Sequence, residues 1–141
     1  MAGYSKRSLA HKLGIKSGFR ITVISPPENY SDLLHPLPQS VRILKKPGHR
    51  MDLIHFFTVS RMECERKLTE LKRLLVPDGM LWISWPKAAA KVPTDMSDTV
   101  VREIALKNGL VDIKVCAVDE IWSGLKLVIP IKDRKGKNDL G

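Results

Sequence analysis

Few side chains in this 141-residue sequence stand at spacings that chemistry requires. The four histidines, His11, His35, His49 and His55, sit in unrelated segments without metal-ligand spacing. The cysteines, Cys64 and Cys116, form neither a CxxC pair nor a Cys/His cluster, so no metal site and no disulfide framework is expected. Both read as small core residues. His55 stands among Ile54, Phe56 and Phe57, the setting of a core histidine bonded to backbone. The densest basic run holds Lys45, Lys46, His49 and Arg50, the best candidate for an anion or phosphate site. A solvated basic turn is the plainer reading.

Short β-branched and apolar runs bounded by Gly and Pro predict strands at about 20–25, 41–45, 52–59, 80–85, 111–118 and 125–129. Ser8–Leu13 and Glu28–His35 read as short helices. Ser60 followed by Glu63 is a capping box, and Cys64, Leu68, Leu71 and Leu75 then form one apolar stripe, closed by Pro77-Asp78-Gly79. A further helix is expected near 97–107, with Asp95 and Asp98 at its positive end and Asn108-Gly109 as its stop. Strands alternating with helices imply parallel pairing with right-handed crossovers. The fold class is therefore α/β: a doubly wound, mostly parallel sheet with a C-terminal antiparallel hairpin, half-exposed in its alternation.

Ligands of such sheets bind outside the carboxyl ends of the strands. Those ends carry Ser25, then Thr58, Ser60 and Arg61, then Trp85 and Lys87, then Asp119, Glu120 and Trp122. Asp119 or Glu120 offers a base, and Arg61 or Lys87 an anion holder near the helix start at Ser60. Parallel, adjacent strands would bring Arg61, Lys87, Asp119, Glu120 and Trp122 to one rim and one pocket. Strand-to-helix turns are polar in any case, and catalytic residues are left unassigned.

Hydrophobic residues are 43% of the chain, enough for a core, so wholesale disorder is not expected. The formal charge is +9, and the excess is concentrated early: residues 1–50 hold nine bases and two acids. Such a surplus favours polyanions, but few aromatics interleave with the bases, so no stacking platform for single strands is visible. Met1–Lys16 lacks the apolar core of a signal peptide, and no apolar run approaches the ~20 residues of a membrane span. A single cytoplasmic domain over 1–141 is expected, with a basic arm and short helix at 1–19 and a basic tail at 131–141.

The series Leu74-Leu75-Val76-Pro77-Asp78-Gly79-Met80-Leu81-Trp82-Ile83 resembles the helix–turn–strand stretch of Rossmann-like S-adenosylmethionine-dependent methyltransferases. Asn108–Val115 with the strand after it resembles their closing hairpin, and Leu13–Gly18 the approach to their first strand. The whole chain also resembles a family of small bacterial proteins of unassigned function, through Met1–Ser5, Trp85-Pro86-Lys87 and Val115–Leu125. The resemblance implies a methyltransferase-like scaffold. It also implies a glycine-rich loop after the first strand and an acid ending the second, which would hold ribose hydroxyls. Here the first position reads Ser25-Pro26-Pro27-Glu28 and the second Lys45-Lys46. The third strand of the methyltransferase pattern has no room, because only a short turn separates Lys46 from Asp52.

These departures lead to a scaffold expected to hold no cofactor. The first reading of function is a non-catalytic module binding a small ligand or a protein partner at the carboxyl edge. The alternative is an atypical methyltransferase using that edge. A weak nucleic-acid binder working through the Lys45–Arg50 turn and the tails ranks third. Homodimerisation through a sheet edge is compatible with each.

Overall fold

A computed structural model describes residues 8–134. The motif Met1–Ser5 and the tail bases Lys135 and Lys137 lie outside them. The elements are α1 (Leu9–Leu13), β1 (Arg20–Ile24), α2 (Tyr30–Leu34), β2 (Arg42–Leu44), β3 (Met51–Phe57), α3 (Arg61–Leu74), β4 (Leu75–Pro86), α4 (Asp98–Lys107), β5 (Val111–Ala117) and β6 (Trp122–Val128). They build one six-stranded sheet in the order β2-β1-β3-β4-β6-β5. The first four strands are parallel, and β6 runs antiparallel to both β4 and β5. The α/β class, the parallel sheet and the closing hairpin are as the sequence implied.

Side-chain alternation divides the core between the two faces of the sheet. One face packs Ile54, Phe56, Leu81, Ile83, Leu125 and Leu127 beneath α3 and α4. The other packs Ile21, Leu53, Phe57 and Trp82 beneath α1 and α2. Helix α1 is anchored there because the Trp82 indole Nε1 donates to the Leu13 carbonyl at 3.0 Å. Gly14 then turns the chain at φ 84°, against Met80.

Three details differ from expectation. Pro77-Asp78-Gly79 does not separate helix from strand: α3 ends at Leu74 and β4 begins at once, carrying those residues as an irregularity in its pairing with β3. Gly79 is needed there because a Cβ would stand 2.9 Å from the Met51 carbonyl oxygen. The final hairpin is not evenly half-exposed. Strand β6 lies inside the sheet between β4 and β5, so Leu125, Leu127 and Val128 are buried, while the edge strand β5 is mostly exposed. Asp95 does not serve α4, whose cap is Ser97; its carboxylate instead accepts from the Arg61 N–H, at the start of α3, at 2.7 Å.

Strand β2 reaches β3 through residues 45–50 alone, passing over β1. Parallel crossovers normally take a dozen residues or more. This one hugs the sheet on the α3 side, where the Arg20 guanidinium donates to the His49 carbonyl at 3.4 Å. Arg50, the last residue of the crossover, takes a left-handed φ of 61°, and Ser25 after β1 and Ser40 before β2 take 58° and 63°, none of them glycine, at about 1 kcal/mol or more each.

Candidate functional site

The carboxyl rim runs from Ser25 past Thr58 and Lys87 to the β5–β6 turn. Most of its candidate side chains are already engaged. Thr58 is buried; its hydroxyl donates to the Glu63 carboxylate and accepts from the Ser60 N–H at 3.1 Å. The Ser60 hydroxyl accepts from the Glu63 N–H at 3.1 Å, so only half of the expected box forms and Glu63 turns to Thr58. Arg61 is paired with Glu65 at 3.6 Å and Glu103 at 3.3 Å. One Asp119 carboxylate oxygen accepts from the N–H groups of Ile121 and Trp122, both at 2.8 Å, which fixes the turn. Glu120 is exposed on that turn.

The rim is one edge with two faces. Trp85 pairs with Ser123 and Pro86 with Trp122. The two indoles therefore point to opposite sides of the sheet. Trp85 joins the core under α3 and α4, whereas Trp122 meets Phe57 edge-on at 5.1 Å between ring centroids. Lys87 is drawn to the hairpin by its N–H, which donates to the Ile121 carbonyl at 2.7 Å.

Three clefts open near this edge. The first, about 310 Å³, lies at the ends of β1 and β2 against α3 and is lined by Ile24, Ser25, Lys45, Lys46, Lys67 and Glu70. The second, about 500 Å³, contains Trp85 and Lys87 together with Met96 and Val115. The third, about 450 Å³, lies on the opposite face among Pro26, Pro27, Tyr30 and Ile43, with Lys45 at its border. Arg61, Asp119, Glu120 and Trp122 line none of the three. The anion candidates also divide. Lys45 and Lys46 stay with the first cleft, while His49 and Arg50 descend with the crossover to the amino end of β3. The first cleft gains Lys67, whose ammonium lies 5.6 Å from the Phe56 ring centroid. Sequence reading could not offer it, since Lys67 lies on α3, twenty-one residues beyond Lys46.

The buried polar centre was also missed. His55 is bonded to side chains rather than backbone: Nδ1 meets the Tyr30 hydroxyl and Nε2 the Ser84 hydroxyl, each at 2.7 Å. Burial pushes the His55 imidazole down to about 3, so it is neutral in the fold. Burial, reinforced by Cys116, raises the Tyr30 phenol. A serine hydroxyl on an imidazole is a nucleophile–base geometry, but His55 and Ser84 have no exposed surface and so weak a base cannot activate a hydroxyl. The trio holds β3, β4 and α2 together. Cys64 is equally inert, its thiol pushed up to about 12 by burial and by Glu65 and Glu63. Among the described residues no group of three or more His, Cys, Asp or Glu side chains is placed to hold a metal, and no helix is long and apolar enough to cross a membrane.

The order and directions of the strands match the fold of Rossmann-like S-adenosylmethionine-dependent methyltransferases. A methyltransferase of this type from Aquifex aeolicus is similar at TM-score 0.57 and 16% identity, over 86% of this chain and 88% of that one. Magnesium protoporphyrin IX methyltransferase from Synechocystis PCC 6803 with bound SAH gives 0.58 at 12% identity, over 86% and 78%. A Haloferax volcanii complex of the Trm112 methyltransferase activator with a protein described as a methyltransferase gives 0.62 at 11%, over 86% of each chain. At these identities the likeness carries the fold alone. No family model and no curated protein matches the chain.

Proposed function

We propose that this chain is a ligand-binding protein on a methyltransferase-type scaffold, holding a small anion in the cleft at the ends of β1 and β2. The observation that carries the reading is the convergence of Lys45, Lys46 and Lys67 on that cleft. Ammonium groups offer point charges for phosphate or carboxylate oxygens. The same residues fit S-adenosylmethionine poorly. Pro26 and Pro27 supply no N–H where the family pattern has a glycine-rich loop, Lys45 stands where an acid would hold the ribose, and three ammoniums against the single carboxylate of Glu70 oppose a sulfonium cation. A second reading, a methyltransferase with an altered cofactor pose, is favoured by the fold of the neighbours, one of which holds SAH.

Thermal denaturation separates the two. A ligand at a hundred times its dissociation constant stabilises by roughly 2.7 kcal/mol, which moves the midpoint of a domain this size by about 5–10 °C. Pyrophosphate is expected to produce such a saturable rise, and K45A/K46A to abolish it. S-adenosylmethionine at millimolar concentration is expected to shift nothing. A saturable rise with S-adenosylmethionine, removed by a bulky side chain at Ser25, would install the second reading.

A further inference from the structure

The α1/α2 side of the hairpin carries a group of lysines separate from that cleft. Lys114 on β5 and Lys126 on β6 are direct cross-strand partners, and Lys126 in turn pairs with Trp82 on β4. The Trp82 indole anchors α1 through Leu13, which sets Lys12 and Lys16 on the same side of the sheet. The neighbourhood registers electrostatically: Lys126 is lowered by burial, then by Lys114 and Lys16, while Lys12 and Lys114 act on Cys116, whose thiol burial raises. Among the described residues none of the four is in an ion pair with an acid.

Like charges directly opposite on neighbouring strands destabilise a sheet. Among the described residues no acid forms an ion pair with either member of this pair. Asp112 pairs with Leu127 and turns to the other face, where it is held by Arg102 at 3.1 Å. Asp119 and Glu120 sit at the turn beyond Trp122, roughly 13 Å along β6 from Lys126 at strand rise. A cluster fixed on two strands and a helix end, rather than on one mobile loop, presents its charges at set positions.

We propose that Lys12, Lys16, Lys114 and Lys126 form a docking face for the phosphate backbone of duplex nucleic acid. Duplex DNA carries one charge per about 1.7 Å of axis, so a face spanning three elements meets several phosphates at once, which a single compact anion would not. The indole among the four lysines, Trp82, has no exposed surface on which a base could stack, and α1, five residues long, is too short to enter a groove as a recognition helix. Binding is therefore sequence-independent.

Fluorescence anisotropy of a labelled 20-base-pair DNA with the full chain, from 50 to 200 mM salt, tests this. Four phosphate contacts give a log–log salt slope of about −3.6 from these lysines. K114A/K126A should lessen the slope by about 2 and weaken binding roughly 100-fold at 50 mM, with an unchanged or higher melting midpoint because a like-charge pair has gone. K45A/K46A should leave both values unchanged. No binding at 50 mM, an unchanged slope in K114A/K126A, or loss in K45A/K46A alone would overturn the proposal. So would competition by tripolyphosphate at one equivalent, which marks a compact anion pocket.

Discussion

Acidification from pH 6.5 toward pH 3 is expected to remove on the order of 4–5 kcal/mol of folding stability through His55 alone. The sign follows from the direction of its shift. In the fold the imidazole stays neutral until about pH 3, whereas the unfolded side chain protonates near pH 6.5. The contribution is whole above pH 6.5. Between the two values the unfolded chain binds one more proton, and stability falls by about 1.4 kcal/mol per pH unit. Below pH 3 both states are protonated and the loss stops. Set against a typical 5–15 kcal/mol for a whole domain, this one ring makes the protein acid-labile. Urea unfolding at half-unit pH steps measures it. H55Q should be less stable at pH 7 yet lose about one proton's worth of slope between pH 4 and 6. Identical slopes in both proteins would show that His55 is not the acid sensor. The other three histidines are exposed, and both proteins carry them and the same carboxylates, so the comparison isolates this residue.

Trp82→Ala is expected to cost about 3–5 kcal/mol, the range for deleting a fully buried aromatic side chain. The midpoint should fall by about 10–15 °C. Trp82 has no exposed surface, and its Nε1–H is the bond that pins Leu13. Its removal should therefore loosen α1 as well as open a cavity. Amide exchange in 9–13 should rise by more than that in α4, on the opposite face. W82F keeps most of the ring and should lose about 1–2 kcal/mol, chiefly through the missing donor. A loss under 1 kcal/mol for the alanine variant would mean that the site collapses without strain.

Local pattern made the strands legible. Arg20–Ile24 is a β-branched run between Gly18 and Pro26, Met51–Phe57 an apolar and aromatic run after Pro47-Gly48, and both appear within a residue or two of expectation. Pro77-Asp78-Gly79 misled because turn residues also permit an irregular strand, and the close approach of Gly79 to Met51 is a tertiary fact. The rim was legible as an edge, because parallel strands share a direction. Its division into faces was not, since one residue of antiparallel register decides whether Trp122 joins Trp85 or opposes it. The polar centre draws Tyr30, His55 and Ser84 from three elements, and the lysine group draws residues 16 and 126 together. No local spacing encodes either.

The six-residue crossover after β2 has an energetic consequence for the sheet's outer strip. Three residues of β2 pair with β1 alone, and Ile43 is half exposed. Releasing that strip breaks few contacts and leaves β1–β3 intact, so it forms the kind of sub-globular unit that opens well below the free energy of complete unfolding. Lys45 and Lys46 follow the strip directly, whereas Lys67 rides on the firmly packed α3. An anion bridging them would fasten the loosest edge of the sheet to one of its most secure helices. Occupancy and local ordering then become a single equilibrium, and apparent affinity is discounted by the fraction of time the edge is open.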